Sequence, residues 1–172
     1  DNLTPDTEYT VYILALDSKT GKVVKAHAYP SFAKTKPVGT IVPEIELVGY
    51  YSGDEEAGSI FGQPDVTAGK AIAVVKYNVD PAATALYSGV LEGNGMDAVE
   101  YDDVYINEML KFYWNAVSLQ QPYSFFVTTW QMEQTVFAYA EDANGGKGAL
   151  GRFLLCPTAE EKGNIEDLQA LV

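Results

Sequence analysis

The chain has 172 residues and a formal net charge of −13, with 24 acidic residues against 11 basic ones. An acidic excess of this size repels nucleic acid and anionic lipid surfaces and argues against both as partners. A single cysteine excludes an internal disulfide and a cysteine-rich zinc site, and every apolar run falls far short of a membrane span.

Hydrophobic residues make up 47% of the chain, enough for a sizeable core, and the supply of Tyr, Phe, Val and Thr favours strands. Residues 9–15 alternate Tyr, Val, Ile and Ala with Thr10, Tyr12 and Leu14, which predicts a strand. Ser18-Lys19-Thr20-Gly21-Lys22 is a polar turn, and residues 23–32 read as the return strand, with Pro30 marking an edge or bulge. A hairpin of two strands is marginal in water by itself. Residues 37–43, holding Pro37, Gly39 and Pro43, read as a stiff linker.

A second unit is expected over residues 44–158. Its strands begin with Ile45 and Leu47 alternating against Glu46 and Val48, and continue over residues 71–79 and 85–91. The period then changes. Asp102-Asp103 suits a helix cap, and Ile106, Leu110, Tyr113 and Trp114 fall at helical spacing, so one inserted helix is predicted at about 103–117. Strands over residues 123–130, 135–141 and 149–156 follow, with Asn144-Gly145-Gly146 as a turn. Residues 159–172 read as a polar tail with room for a short helix.

An internal repeat joins the two units. Thr10-Val11, Ala15, Asp17, Gly21 and Lys22 recur as Thr135-Val136, Ala140, Asp142, Gly146 and Lys147, at a constant offset of 125. Residues 135–156 therefore read as a second copy of the hairpin over residues 9–33.

The pattern Leu3-x-Pro5-x-Thr7-x-Tyr9-x-Val11, then Ala15-x-Asp17, resembles the late strands of a fibronectin type III domain. The resemblance implies that Tyr9 is a tyrosine corner, its hydroxyl bonded back to nearby backbone. It also implies that residues 1–36 are the closing hairpin of an incomplete sandwich whose earlier strands lie upstream. The second copy carries Gln134 where Tyr9 stands and Met132 in place of Thr7, so the second unit is expected to be a diverged relative. It is similar to fibronectin-like repeats in cell-envelope lipoproteins of Gram-negative gut anaerobes. The fold class expected is all-β, an immunoglobulin/fibronectin type III-like antiparallel sandwich with one inserted helix, preceded by the hairpin.

No catalytic, cofactor or metal constellation emerges from the residues. His27 is the only histidine and is expected as an exposed strand residue, too isolated for a triad. Cys156, between Leu155 and Pro157, is expected as a buried thiol without a basic neighbour. Glu92, Asp97, Glu100, Asp102 and Asp103 read as caps and a solvated loop rather than paired acids. Asp54-Glu55-Glu56 and Asp142-Ala143-Asn144 lack the alternation of a calcium loop, and Gly93-Asn94-Gly95 lacks the setting of a phosphate loop. Asn2-Leu3-Thr4 matches a short glycosylation pattern.

The aromatic surplus is read first as core under the helix. Its second reading is a sugar-stacking platform, with Tyr51, Tyr113 and Trp130 as the candidate ligand contacts. The expected function is a non-catalytic structural or adhesion module of a secreted or surface-anchored bacterial protein; the alternative is a carbohydrate-binding module. The expected partners are a protein or glycan at the cell surface, with self-association through the N-terminal hairpin. The chain opens at Asp1 without methionine, so any export signal or membrane anchor is expected upstream.

Overall fold

The computed structural model describes residues 3–54, 60 and 64–171. Strands β1 (Glu8–Leu16) and β2 (Val23–Lys34) form a two-stranded antiparallel ribbon. Two further sheets face each other. One has the order β3–β4–β7, built from β3 (Glu44–Ser52), β4 (Ala71–Asn78) and β7 (Tyr123–Thr128). The other runs β6–β5–β8–β9, from β5 (Ala85–Glu92), β6 (Asn115–Val117), β8 (Gln134–Glu141) and β9 (Gly151–Leu155). Every pairing within these sheets is antiparallel, so the molecule is an all-β sandwich with a ribbon attached.

The central strands are buried on both faces, which is why they read as near-continuous apolar runs. In β4, Ala73, Val75 and Tyr77 join Ile45, Tyr50, Leu86, Val136, Ala138 and Leu155 between the sheets. Ile72 and Val74 point the other way, into a cluster with Tyr51 and Leu168. In β8, Phe137 points outward against Ile106, Leu110 and Leu150. Two short helices cover these outer faces: α2 (Asp103–Met109) lies over the four-stranded sheet and α3 (Ile165–Gln169) over the three-stranded one. A single-turn helix, α1 (Pro64–Thr67), precedes β4.

Three expectations change. The inserted helix spans seven residues rather than about 103–117. Asp102 caps it by accepting a hydrogen bond from the Tyr105 N–H, and Leu110 leaves helical geometry at φ −92° and ψ 7°. Residues 115–117 form β6 instead, because β5 needs an antiparallel neighbour along Leu86, Tyr87 and Ser88. The stretch read as a linker belongs to the sandwich. Gly39, Ile41 and Pro43 are buried in alternation, and the Gly39 N–H donates to the Lys147 carbonyl at 3.0 Å. A Cβ on Gly148 or Gly151 would collide with the backbone of Ile41 or Pro43, so glycine is required there for the two segments to run side by side. The tail is not merely polar either: Leu168 is fully buried, a placement worth about 2 kcal/mol.

The ribbon stands apart from these layers. All twelve residues of β2 are exposed, and in β1 only Tyr9 is half-buried. Tyr12, Ile13 and Phe32 keep 65%, 59% and 63% of their surface open to solvent. Val11 pairs with Tyr29 but Tyr9 pairs with Ala33, so a bulge falls at Pro30-Ser31, with Ser31 at φ 50°. The Lys36 ammonium lies 3.6 Å from a Glu141 carboxylate oxygen, linking the foot of the ribbon to the sandwich.

Candidate functional site

The Tyr9 hydroxyl accepts a hydrogen bond from the Thr4 N–H at 2.6 Å and lies 3.4 Å from the Thr4 carbonyl. Thr35 ties down the same loop, its hydroxyl donating to the Thr4 carbonyl at 2.5 Å and accepting from the Thr7 N–H at 3.0 Å. Tyr9 thus fixes the approach to β1 from five residues upstream, the geometry of a tyrosine corner.

The three aromatics singled out from sequence lie in different environments. A bulge between Leu47 and Gly49 shifts the phase of β3, so Tyr50 faces the inter-sheet core and Tyr51 the outer cluster with Leu168. Tyr51 is 3% exposed, and burial pushes its phenol up from the usual range. A ring so enclosed offers no face to a ligand. Trp130 is half-buried against the inter-sheet core. Tyr113 alone is open, at 69% exposure.

Beside Tyr113 lies a groove of about 850 Å³. Val90 and Leu91 of β5, Met109 and Phe112 around the end of α2, and Phe125 and Phe126 of β7 line it, with Glu92 and Asn115 as polar groups. Its origin is topological. β6 covers β5 only as far as Ser88, and β7 is the edge strand of its own sheet. The early end of α2 then leaves Phe112 86% exposed at the rim. A smaller cavity of about 280 Å³ opens on the other flank of α2, among Gly93, Gly95, Tyr101, Tyr105 and Phe137. The sequence reads the aromatics of residues 112–114 as core under a helix running to 117, so sequence reasoning missed the groove; the one legible signal was the density of aromatics over residues 112–114 and 125–126.

The acidic residues have structural tasks. Asp97 accepts from the Val99 and Glu100 N–H groups at 2.8 and 3.3 Å. Asp103 accepts from Arg152 at 2.7 Å and from the Leu150 N–H at 3.0 Å. Asp142 caps its own turn, accepting from the N–H groups of Asn144 and Gly146. Among the described residues no three His, Cys, Asp or Glu side chains gather as metal ligands. Asn2, Glu55 and Glu56 lie outside the described residues. His27 is exposed and meets the edge of Tyr29 at a centroid distance of 4.4 Å. Cys156, expected to be buried, is exposed: β9 ends at Leu155, so the thiol falls beyond the last paired position.

No protein-family model, curated protein or solved structure matches the chain.

Proposed function

We propose that this chain is a non-catalytic structural or adhesion module from a tandem array outside the cell, with a fibronectin type III-like sandwich as its repeating unit. In this reading β1–β2 is the closing ribbon of a neighbouring sandwich. One observation carries the reading. β1 and its turn repeat the sequence pattern of β8 and its turn, yet β1 leaves exposed what β8 buries: Val136, Ala138 and Ala140 are fully buried, whereas Val11 and Ile13 are 36% and 59% exposed. The path of the chain, crossing between sheets from β4 to β5, from β6 to β7 and from β7 to β8, supports the sandwich family. A protein partner can engage such a module through its sheet edges.

The groove beside Tyr113 favours a second reading, a carbohydrate-binding module, because an exposed aromatic next to Glu92 and Asn115 suits a sugar ring. A glycan array, with fluorescence titration of any hit and a panel of ester, glycoside and peptide substrates, tests both readings. The adhesion module predicts no turnover and no saturable glycan. Saturable binding that disappears in Tyr113→Ala would favour the second reading, and turnover of any substrate would overturn both.

A further inference from the structure

Lys147 occupies an enclosed seat between α2 and the outer face of the four-stranded sheet. Its Nζ lies 3.5 Å from the centre of the Tyr139 ring and 5.0 Å from that of Trp114. Tyr139 is in turn stacked on Tyr87 and met edge-on by Trp114, both at centroid distances of 4.9 Å. The remaining wall is α2, where Asn107 Oδ1 is in direct contact with Nζ. The Asn107 amide is fixed in this orientation, because its Nδ2 donates to the Asp103 carbonyl at 2.5 Å, one helical turn back. Burial pushes the Lys147 amine down to about 8, against the opposing charges of Asp103 and Glu141. A neutral, nucleophilic amine is therefore accessible near physiological pH, facing an immobilised carboxamide.

We propose that Lys147 and Asn107 join in an intramolecular isopeptide bond, which ties α2 covalently to the turn between β8 and β9. The Nζ lone pair attacks Asn107 Cγ, the Nζ–Cγ bond forms, the Cγ–Nδ2 bond breaks, and ammonia leaves. One proton passes from Nζ to the departing Nδ2. The carboxylates of Asp103 and Glu141 both act electrostatically on the amine and are the acidic groups nearest the transfer. One amide replaces another, so no oxidant, reductant or metal is needed. The aromatic walls enclose the amine on the side away from α2. The bond also answers a structural need: a helix of seven residues has little stability of its own, and α2 must stay in place to cover Phe137.

Intact mass and peptide mapping of the purified chain test the proposal. The folded protein is expected to be lighter than its sequence by one ammonia. Trypsin should spare Lys147 and release a branched peptide joining the Asn107 and Lys147 segments. Asn107→Asp should change the deficit to one water, and Lys147→Met should restore the full sequence mass. Succinimide formation at Asn94-Gly95 or Asn144-Gly145 also loses ammonia but leaves Lys147 in a linear peptide. A wild-type chain of full sequence mass, or one cleaved after Lys147, would overturn the proposal and leave Lys147 as a cation held by two rings and an amide.

Discussion

Asp17 and Asp142, 125 residues apart, fold equivalent turns between antiparallel strands. Asp17 Oδ1 accepts from the N–H groups of Lys19 and Thr20 at 3.0 and 2.7 Å; Asp142 Oδ1 accepts from those of Asn144 and Gly146 at 2.8 and 3.0 Å. The turns differ in length by one residue. The Asp17 N–H reaches the Lys22 carbonyl, whereas the Asp142 N–H reaches the Gly146 carbonyl. Gly21 and Gly145 take the positive φ, at 66° and 71°. The fixed offset of the repeat therefore holds along the first strand and slips by one after the turn, so Gly21 corresponds to Gly145 rather than Gly146.

The equivalence makes the two aspartates a matched pair for mutation. Asp142 caps a turn inside the cooperative sandwich, so Asp142→Ala should lower its stability by about 1 kcal/mol. Asp17 caps an exposed ribbon, so Asp17→Ala should leave the urea midpoint of the sandwich unchanged. Equal losses from both substitutions would mean that the ribbon unfolds together with the sandwich.

Tyr77 and Ser88 connect the two sheets through the core. Their hydroxyl oxygens are 2.5 Å apart, and the Ser88 hydroxyl lies 3.2 Å from the Phe137 carbonyl. Removing either hydroxyl weakens the satisfaction of its buried partner, so Tyr77→Phe and Ser88→Ala should each cost about 1–2 kcal/mol. The double variant should cost less than the sum, because the two groups share one interaction. Additive losses in urea denaturation would contradict that coupling.

The strands were legible because their alternation or continuous apolar character reflects burial directly. Residues 71–78, buried on both faces, left little room for another reading. The groove and the fate of Tyr51 were not legible, for two physical reasons. A bulge at Val48 reverses which side chains of β3 face inward, and no composition signal marks it. The periodicity of Ile106, Leu110 and Trp114 continues past the true end of the helix, because Trp114 still packs inward, against Tyr139, after the chain has left helical geometry. The linker was misread because Pro37, Gly39 and Pro43 signal a stiff, extended spacer until the facing glycines Gly148 and Gly151 are known.

Alkaline pH should unfold the sandwich through its phenols. Burial pushes up Tyr50, Tyr51, Tyr77 and Tyr139, the last to about 12. A phenol raised above its unfolded value of 10.0 keeps its full stabilisation below that pH and loses it as pH climbs toward 12. Urea midpoints should therefore stay level up to pH 10 and fall beyond it, in step with phenolate absorbance. Lys147 has the opposite sign. A free amine lowered to about 8 would make stability rise from there to its unfolded value of 10.5, and the isopeptide bond removes that rise.

The β1–β2 ribbon is a sheet of only two strands. Its apolar side chains and open edges should find another strand, and in a solution of this chain alone that strand comes from a second copy. Light scattering over a range of concentrations is the direct measurement. A mass that grows with concentration, and returns to that of the monomer in Ile13→Lys, is the predicted result. A monomer mass at every concentration would contradict a ribbon that seeks a further strand.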